Sequence, residues 1–127
     1  MELKLGKLPF EKDDRDLKLA KYVDRTSLPT PPEFTDDYKA FDDWNMFLNS
    51  SIGDCAVAGP LHMLMLWNKQ GNKDAEFTDE NALEVYEDIS GYDPNCPITP
   101  NPTDKGCVLR DVLKYWRKTG IPDKNGV

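Results

Sequence analysis

Apolar residues recur at helical spacing in three segments of the second half of the chain. The first segment runs from Cys55 to about Gln70 and is apolar on nearly every face, which is typical of a helix buried in a core or between subdomains. Pro60 lies inside this segment and removes one backbone hydrogen bond, so we expect a kink or a late regular start. Gly71 follows as a suitable C-terminal stop.

The other two segments predict amphipathic helices with one apolar stripe each. The second helix is predicted from about Asp79 to Ser90, with Thr78 as its N-cap. The third is predicted from about Cys107 to Thr119. The residues expected to face the core are Ala82, Val85, Tyr86 and Ile89 in the second helix, and Val108, Leu109, Val112, Leu113 and Trp116 in the third. The sequence shows no strand-like alternation of any length, so the pattern predicts a mainly α protein.

Residues 1–54 have a different pattern and are predicted to form a long, mostly extended arm. Residues 12–24 carry apolar positions at near-helical spacing, which predicts two or three turns of helix. The prolines within residues 28–32 then require extended backbone. Aromatic side chains follow and favour an arm packed along the body over a free linker: Phe34, Tyr38, Phe41, Trp44 and Phe47. The predicted organisation is this arm, with its short helix, followed by a three-helix, cysteine-bearing subdomain at residues 55–127.

Composition narrows the class of partner. The 127 residues include 23 acidic and 16 basic side chains, which gives a net charge of −7. This charge argues against a nucleic-acid backbone or an anionic membrane as the main partner. No apolar run approaches the roughly 18–20 residues of a membrane span, and the first ten residues lack the features of a secretory signal. We therefore expect no nucleic-acid partner, no membrane partner and no signal peptide.

Cysteine and histidine usage limits the available chemistry. Three cysteines are too few for a disulfide scaffold, so a reducing, cytoplasmic location is expected. Cys96 and Cys107 flank a proline-rich loop and are compatible with a disulfide or, more weakly, with zinc ligation. Neither has support in the sequence, because nothing indicates an oxidising compartment and no Cys-x-x-Cys motif is present. With His62 as the single histidine, we expect no metal and no cofactor.

The most unusual choice of residues lies around Cys55. An irregular segment ends in Gly53-Asp54-Cys55, and the apolar helix begins at the cysteine. The N–H groups at a helix start stabilise a thiolate and can receive the oxyanion formed when that thiolate attacks a carbonyl. Asn49, six residues upstream, is a candidate for a second oxyanion donor. The same spacing also fits a small buried cysteine with Asp54 as a simple N-cap, and both interpretations stay open.

The segment from Trp44 to Cys55 resembles papain-like cysteine peptidases, in which a glutamine stands six residues before the nucleophilic cysteine at the head of a central helix. It is still more similar to a group of uncharacterised phage and bacterial proteins with a papain-like core. Their pattern is a tryptophan, then Met-Leu-Gly-Asn-Asp, two variable residues and Gly-Asp-Cys. The matching residues here are Trp44, Met46, Asn49, Gly53, Asp54 and Cys55, and further segments match in order at 5–9, 14–17, 28–32, 90–94, 103–106 and 115–121.

The resemblance implies the helical half of an α+β papain-like fold, with a long N-terminal arm. It implies Cys55 as the nucleophile, with its backbone N–H and the Asn49 side chain as the oxyanion hole. The histidine base of such folds lies in a β-rich second half, which the group carries after the segment matched at 115–121. His62 does not replace it, because seven residues along a helix place it about 10.5 Å from Cys55. We therefore expect this chain to be one half of a two-part fold.

Two further hypotheses remain from the sequence. Leu48 stands where the pattern has glycine, Ser50 stands where it has aspartate, and Pro60 interrupts the central helix. These departures and the missing base favour a non-catalytic structural or interaction protein, such as a virion component. Isopeptide or amide chemistry other than proteolysis is the third hypothesis. The expected partners are a histidine-bearing half, in the same or another chain, or other subunits in a homo-oligomer or a virion, so the expected location is cytoplasmic or virion-associated.

Overall fold

The computed structural model describes residues 6–126, and within this range the chain is mainly helical. Its helices are α1 (Cys55–Gln70), α2 (Asp79–Ser90) and α3 (Leu109–Lys118), and two short 3-10 turns lie at Leu19–Lys21 and Asp37–Ala40. No strand occurs among the described residues, although one isolated parallel bridge pairs Lys7 with Cys107. The predicted mainly α class is confirmed. Residues 1–5, which open the predicted arm and include Leu5 of its first matching segment, and Val127 lie outside the described range.

Helix α1 has the predicted bounds, and its first half forms the centre of the core. Val57 and Leu61 are fully buried there. Pro60 is buried inside the helix, which nevertheless begins at Cys55, so the late start considered for this proline is not observed. The second half was expected to be buried as well, but Trp67 is 51% exposed. The reason is that α2, α3 and the Asp37–Ala40 turn are the described elements that contact α1, and they do not surround it.

Helix α2 follows the predicted pattern at both ends. The Thr78 hydroxyl accepts from the Asn81 N–H at 3.4 Å, and the Asn81 side-chain oxygen accepts from the Thr78 N–H at 3.0 Å, which forms a capping box. Gly91 ends the helix at φ 71°, where its N–H donates to the Glu87 carbonyl. The predicted stripe is correct: Ala82, Val85 and Tyr86 are fully buried, and Ile89 packs against them.

Helix α3 begins at Leu109, two residues after the predicted start. Cys107 is held in extended backbone, because its N–H donates to the Gly6 carbonyl at 2.9 Å and its carbonyl accepts from the Leu8 N–H at 3.1 Å. The predicted apolar face is also too wide. Val112 is fully buried, whereas Leu113 is exposed.

The N-terminal segment departs most from the prediction. Two or three helical turns were expected over residues 12–24, whereas the structure has one three-residue 3-10 turn there, at Leu19–Lys21. Leu17 is 80% exposed, so the segment lacks the packing that stabilises short helices in water. Phe34 is likewise exposed, whereas Phe47 is buried and the Trp44 ring lies 4.9 Å from that of Phe41. The expected packing of the aromatic residues therefore holds near residue 41 and beyond, but not before it.

Within the described range, none of the helices combines the length and the apolar character needed to cross a bilayer.

Candidate functional site

Cys55 is the first residue of α1, and the residue is half-buried. The first N–H groups of any helix have no acceptor within the helix. Here the Asp54 carbonyl accepts from the N–H groups of Val57 at 2.7 Å and Ala58 at 3.1 Å. No described residue accepts from the N–H groups of Cys55 and Ala56. Cys55 therefore stands at the positive end of a 16-residue helix, where two N–H groups have no acceptor among the described residues.

His62 binds the segment that leads to Cys55. Its Nε2 lies 3.0 Å from the Trp44 carbonyl oxygen and 2.9 Å from that of Asn45. Because carbonyl oxygens only accept, Nε2 carries the proton. The imidazole also packs against the Phe47 ring at a centroid distance of 5.1 Å. These contacts give His62 a structural role, because it holds the loop that leads to Cys55.

The segment between Trp44 and Cys55 contains left-handed backbone at three non-glycine residues. The φ angles are 56° at Asn45, 48° at Phe47 and 66° at Leu48. L-residues rarely adopt this region, and a bulky side chain makes it costly. Burial of Phe47 offsets the strain, as does a hydrogen bond of 3.1 Å from the Asn45 amide to the Asp79 carboxylate at the start of α2. Contacts to His62 of α1 and to Asp79 of α2 thus fix the shape of this loop.

Asn49 lies in a turn of this loop and is half-buried. Its backbone N–H donates to the Met46 carbonyl at 2.9 Å. Its side-chain amide has no hydrogen-bond partner among the described residues, and no hydrogen bond joins it to Cys55. The two residues predicted to form the site therefore lie in this loop and at the start of the helix that follows it, and the Asn49 amide is not engaged by another described group.

Asp54 occupies the N-cap position of α1, but its side chain does not cap the helix. The residue is fully buried, and neither carboxylate oxygen has a hydrogen-bond partner among the described residues. Burial raises the pKa of Asp54 to about 7, opposed by its own backbone N–H and reinforced by the carboxylates of Asp104 and Asp79. The interpretation of Asp54 as a simple N-cap is therefore wrong. It is a buried acid next to the candidate nucleophile.

Three glycines bring separate parts of the chain together beside Asp54. A Cβ atom on Gly6 would lie 1.5 Å from the Gly53 carbonyl oxygen, and one on Gly106 would lie 1.9 Å from the Gly6 carbonyl oxygen. We call this contact of Gly6, Gly53 and Gly106 the glycine junction. Only residues without a side chain allow backbone to approach this closely. The junction places residues 6–8, the loop before α1 and the loop before α3 against one another.

A network of hydrogen bonds from Tyr86 and Asp104 holds the glycine junction. The Tyr86 hydroxyl donates to Asp104 Oδ1 at 2.7 Å and accepts from the Gly106 N–H at 2.9 Å. The same Asp104 oxygen accepts from the Gly53 N–H at 2.9 Å. Burial and the Asp104 carboxylate both raise the pKa of Tyr86 well above its usual range, so the hydroxyl keeps its proton. This network ties α2 to the backbone that enters the candidate site.

Replacing Tyr86 with phenylalanine is expected to lower the free energy of unfolding by about 2 kcal/mol, because the buried Gly106 N–H loses its acceptor. Tyr115→Phe is the matched control, since the Tyr115 hydroxyl donates at 2.8 Å to Asp88 in an exposed position. That change is expected to cost less than about 0.5 kcal/mol. Urea unfolding of both variants measures the difference. Equal losses would contradict a supporting role for the Tyr86 hydroxyl.

Cys107 is the buried thiol of this region. It follows Gly106 of the glycine junction and belongs to the core cluster that contains Ala56 and Val57 of α1. Burial raises the pKa of Cys107 to about 11, and the neighbouring Cys55 and Asp54 add to the rise. All three cysteines of the chain are free. The sequence had linked Cys107 with Cys96, whereas the structure places it in the core cluster with the start of α1, within electrostatic range of Cys55.

A cavity of about 340 Å³ opens at the glycine junction. Its walls are Gly6, Gly53, Pro100, Asn101, Asp104, Lys105 and Gly106. The cavity therefore reaches to within two residues of Cys55 along the chain. Over residues 6–126, no group of three or more His, Cys, Asp or Glu side chains is arranged to hold a metal ion.

Cys55 and Asn49 were proposed from the sequence, whereas the residues that support their loop were not. Tyr86 was identified only as part of an apolar stripe, and Asp104 only within a matching segment. The available signal was the tyrosine hydroxyl, because a phenol in a buried stripe needs a polar partner. Nothing in the sequence indicated that Gly6 would meet Gly53 and Gly106, since that contact depends on the tertiary fold.

Comparisons of this chain with protein-family models, with curated proteins and with solved structures find no match.

Proposed function

We propose that this chain is the nucleophile-bearing helical half of a papain-like cysteine hydrolase, with Cys55 as the nucleophile and residues 1–54 as its N-terminal arm. The observation that carries the proposal is the position of the half-buried Cys55 thiol at the start of α1. Two backbone N–H groups there have no acceptor among the described residues. This is the arrangement that attack on a carbonyl requires.

The backbone at Leu48 supports the papain-like interpretation independently. The papain-like group has glycine at this position, and Leu48 has a φ of 66°. Glycine adopts that conformation without strain, whereas leucine does not. The conformation of the loop before Cys55 is thus the one for which the group's glycine is suited.

The proposed reaction is acyl transfer through a thioester. The Cys55 thiolate attacks the carbonyl carbon of an amide, and the oxyanion accepts hydrogen bonds from the Cys55 N–H and the Asn49 side-chain amide. The C–N bond then breaks as the leaving amine takes a proton, and water hydrolyses the thioester to release the acid and restore the thiol. His62 does not supply that proton, because it binds the carbonyls of Trp44 and Asn45. A histidine-bearing polypeptide, in the same or another chain, is the proposed acid and base.

An activated ester tests the first half of this reaction, since p-nitrophenolate leaves without needing a proton. Incubation with p-nitrophenyl acetate is expected to acetylate Cys55, as detected by intact mass and peptide mapping. Asn49→Ala is expected to slow acetylation about 100-fold, because it removes one oxyanion donor. Cys96→Ser is the control and should react at the native rate. An unchanged rate in Asn49→Ala would contradict the proposed oxyanion hole, and labelling of Cys96 in preference to Cys55 would contradict the proposed nucleophile.

A second candidate is a non-catalytic interaction protein, either cytoplasmic or part of a virion. One observation favours it: most of the large apolar side chains that are exposed in the described range lie between Leu8 and Tyr38. Exposed apolar surface of this kind is typical of segments that contact a partner. The acetylation experiment separates the candidates, because a purely structural chain has no reason to acylate Cys55 faster than Cys96.

A further inference from the structure

Two of the three cysteines flank the glycine junction, since Cys107 follows Gly106 and Cys55 lies two residues after Gly53. The Cys107 N–H donates to the Gly6 carbonyl at 2.9 Å, and Gly6 lies against the backbone of Gly53, two residues before Cys55. Cys55 is also close enough to act electrostatically on the Cys107 thiol. The fold therefore brings into one region two cysteines that are 52 residues apart in the sequence (107 minus 55).

The two thiols differ in their access to solvent. Cys55 is half-buried at the start of α1, so a small oxidant can reach it. Cys107 is 4% exposed and is enclosed by the core. A reagent in solution therefore meets Cys55 first, and Cys107 is placed to react with a group already formed on Cys55. This is the arrangement of a peroxide-reactive thiol and a resolving thiol.

Asp54 supplies a proton acceptor in the same place. Its carboxylate is fully buried, and neither oxygen has a hydrogen-bond partner among the described residues. Buried carboxylates are nearly always hydrogen-bonded, so an unpartnered one is a candidate for proton transfer. It lies near Cys107, as its electrostatic effect on that thiol shows.

We propose that Cys55 and Cys107 form a peroxide-driven thiol–disulfide pair, in which Asp54 carries the proton of Cys107. The Cys55 thiolate attacks one oxygen of hydrogen peroxide, the O–O bond breaks, and the hydroxide released takes a proton from solvent to become water. Cys55 is then a sulfenic acid. Cys107 gives its proton to Asp54, and its thiolate attacks the Cys55 sulfur. The S–S bond forms as the S–OH bond breaks, and the departing hydroxide takes the proton from Asp54 and leaves as water.

This inference goes beyond the proposed hydrolase function, because disulfide formation needs no attack on a carbonyl. In a hydrolase it would switch the nucleophile off reversibly, since a reductant restores both thiols. In a non-catalytic protein it would be a redox-dependent clamp between α1 and the segment before α3.

The test is oxidation of the reduced native chain with one equivalent of hydrogen peroxide, followed by non-reducing peptide mapping. The expected product is a Cys55–Cys107 linked peptide, formed in Cys96→Ser at the native rate. Cys107→Ser is expected to stop at a Cys55 sulfenic acid, which dimedone traps. Asp54→Asn is expected to slow disulfide closure by at least about 10-fold, so that dimedone-trapped Cys55 accumulates before the disulfide forms.

The native chain alone decides the pairing, so the result does not depend on the stability of any variant. A disulfide that contains Cys96, or a sulfenic acid on native Cys55 that persists without closing, would overturn the proposal. Closure in Asp54→Asn at the native rate would overturn the role given to Asp54. A chain that forms the Cys55–Cys107 bond but is not acetylated at Cys55 would refute the hydrolase function and leave the redox pair standing.

Discussion

Replacing Asp54 with asparagine is expected to stabilise the chain at pH 8 by about 3 kcal/mol. The pKa of Asp54 is about 7 in the folded chain, against a usual value of 3.8. Each unit of that difference is about 1.4 kcal/mol of preference for the protonated acid, which sets an upper bound of about 4 kcal/mol. Asparagine has nearly the same shape and cannot ionise, so it removes the cost of a buried charge.

The sign of the pH dependence follows from the raised pKa of Asp54. Below about pH 4 the carboxyl is protonated in both states, and its full contribution to stability is present. The free energy of unfolding then falls as the pH rises from about 4 to about 7, and it reaches its lower plateau above about pH 7. Urea unfolding at several pH values is expected to show this fall in the native chain and its loss in Asp54→Asn, with no gain from the variant at pH 4.

Asp42→Asn is the matched control for the change of charge, because Asp42 is exposed. It should leave the pH dependence of unfolding as it is in the native chain. If Asp54→Asn were no more stable than the native chain at pH 8, the carboxylate would have to be solvated or paired, and the argument for a proton-carrying Asp54 would fail with it.

Replacing Gly106 with alanine is expected to lower the free energy of unfolding by about 2–5 kcal/mol. The residue has a φ of 74°, which costs an alanine about 1–2 kcal/mol. The added Cβ would also lie 1.9 Å from the Gly6 carbonyl oxygen, and relieving an overlap of this kind costs about 1–3 kcal/mol more. Chemical denaturation measures the loss directly.

Gly91→Ala separates these two contributions. Gly91 has a φ of 71°, and a Cβ there would meet nothing within 4 Å. This control therefore carries the strain without the overlap and is expected to cost about 1–2 kcal/mol. Equal losses in the two variants would mean that residues 6–8 move aside without cost, and that the glycine junction does not hold the site together.

The elements that local pattern and capping determine were predictable. The bounds of α1 follow from its apolar run and from Gly71, and those of α2 follow from Thr78 and Gly91. The start of α3 was not predictable, because Cys107 is held in extended backbone by Gly6 and Leu8, about one hundred residues earlier in the chain. Periodicity cannot detect such a contact, since it reads only neighbouring residues.

The helix predicted over residues 12–24 does not form, and the reason again lies in the tertiary fold. The apolar residues do have helical spacing, but Leu17 and Leu19 are exposed, and none of the described helices packs against the Leu19–Lys21 turn. A segment of this length depends on tertiary burial for its helix. The pattern therefore showed which residues could face a core, but it could not show that no core would be there.

The candidate site likewise has a part that the local sequence predicts and a part that only the tertiary fold creates. Cys55 and Asn49 were identified because their chemistry depends on a helix start and on short spacing along the chain. Three other features depend on residues far apart in sequence. They are the burial of Asp54, the electrostatic effect of Cys55 on Cys107, and the Tyr86–Asp104 network. The sequence therefore indicated a candidate nucleophile, and the fold added a buried acid and a second cysteine in the same region.

The central claim is that Cys55 is an activated nucleophile, and competitive alkylation within one chain tests it most directly. Cys55 and Cys96 are both half-buried, so Cys96 is an internal reference. The reduced chain is treated with iodoacetamide at pH 7, and the modification of each cysteine is followed by peptide mapping. We expect Cys55 to react at least about 10-fold faster than Cys96, and the two to react alike in urea. If Cys55 reacted no faster than Cys96 in the folded chain, Cys55 would not be an activated nucleophile.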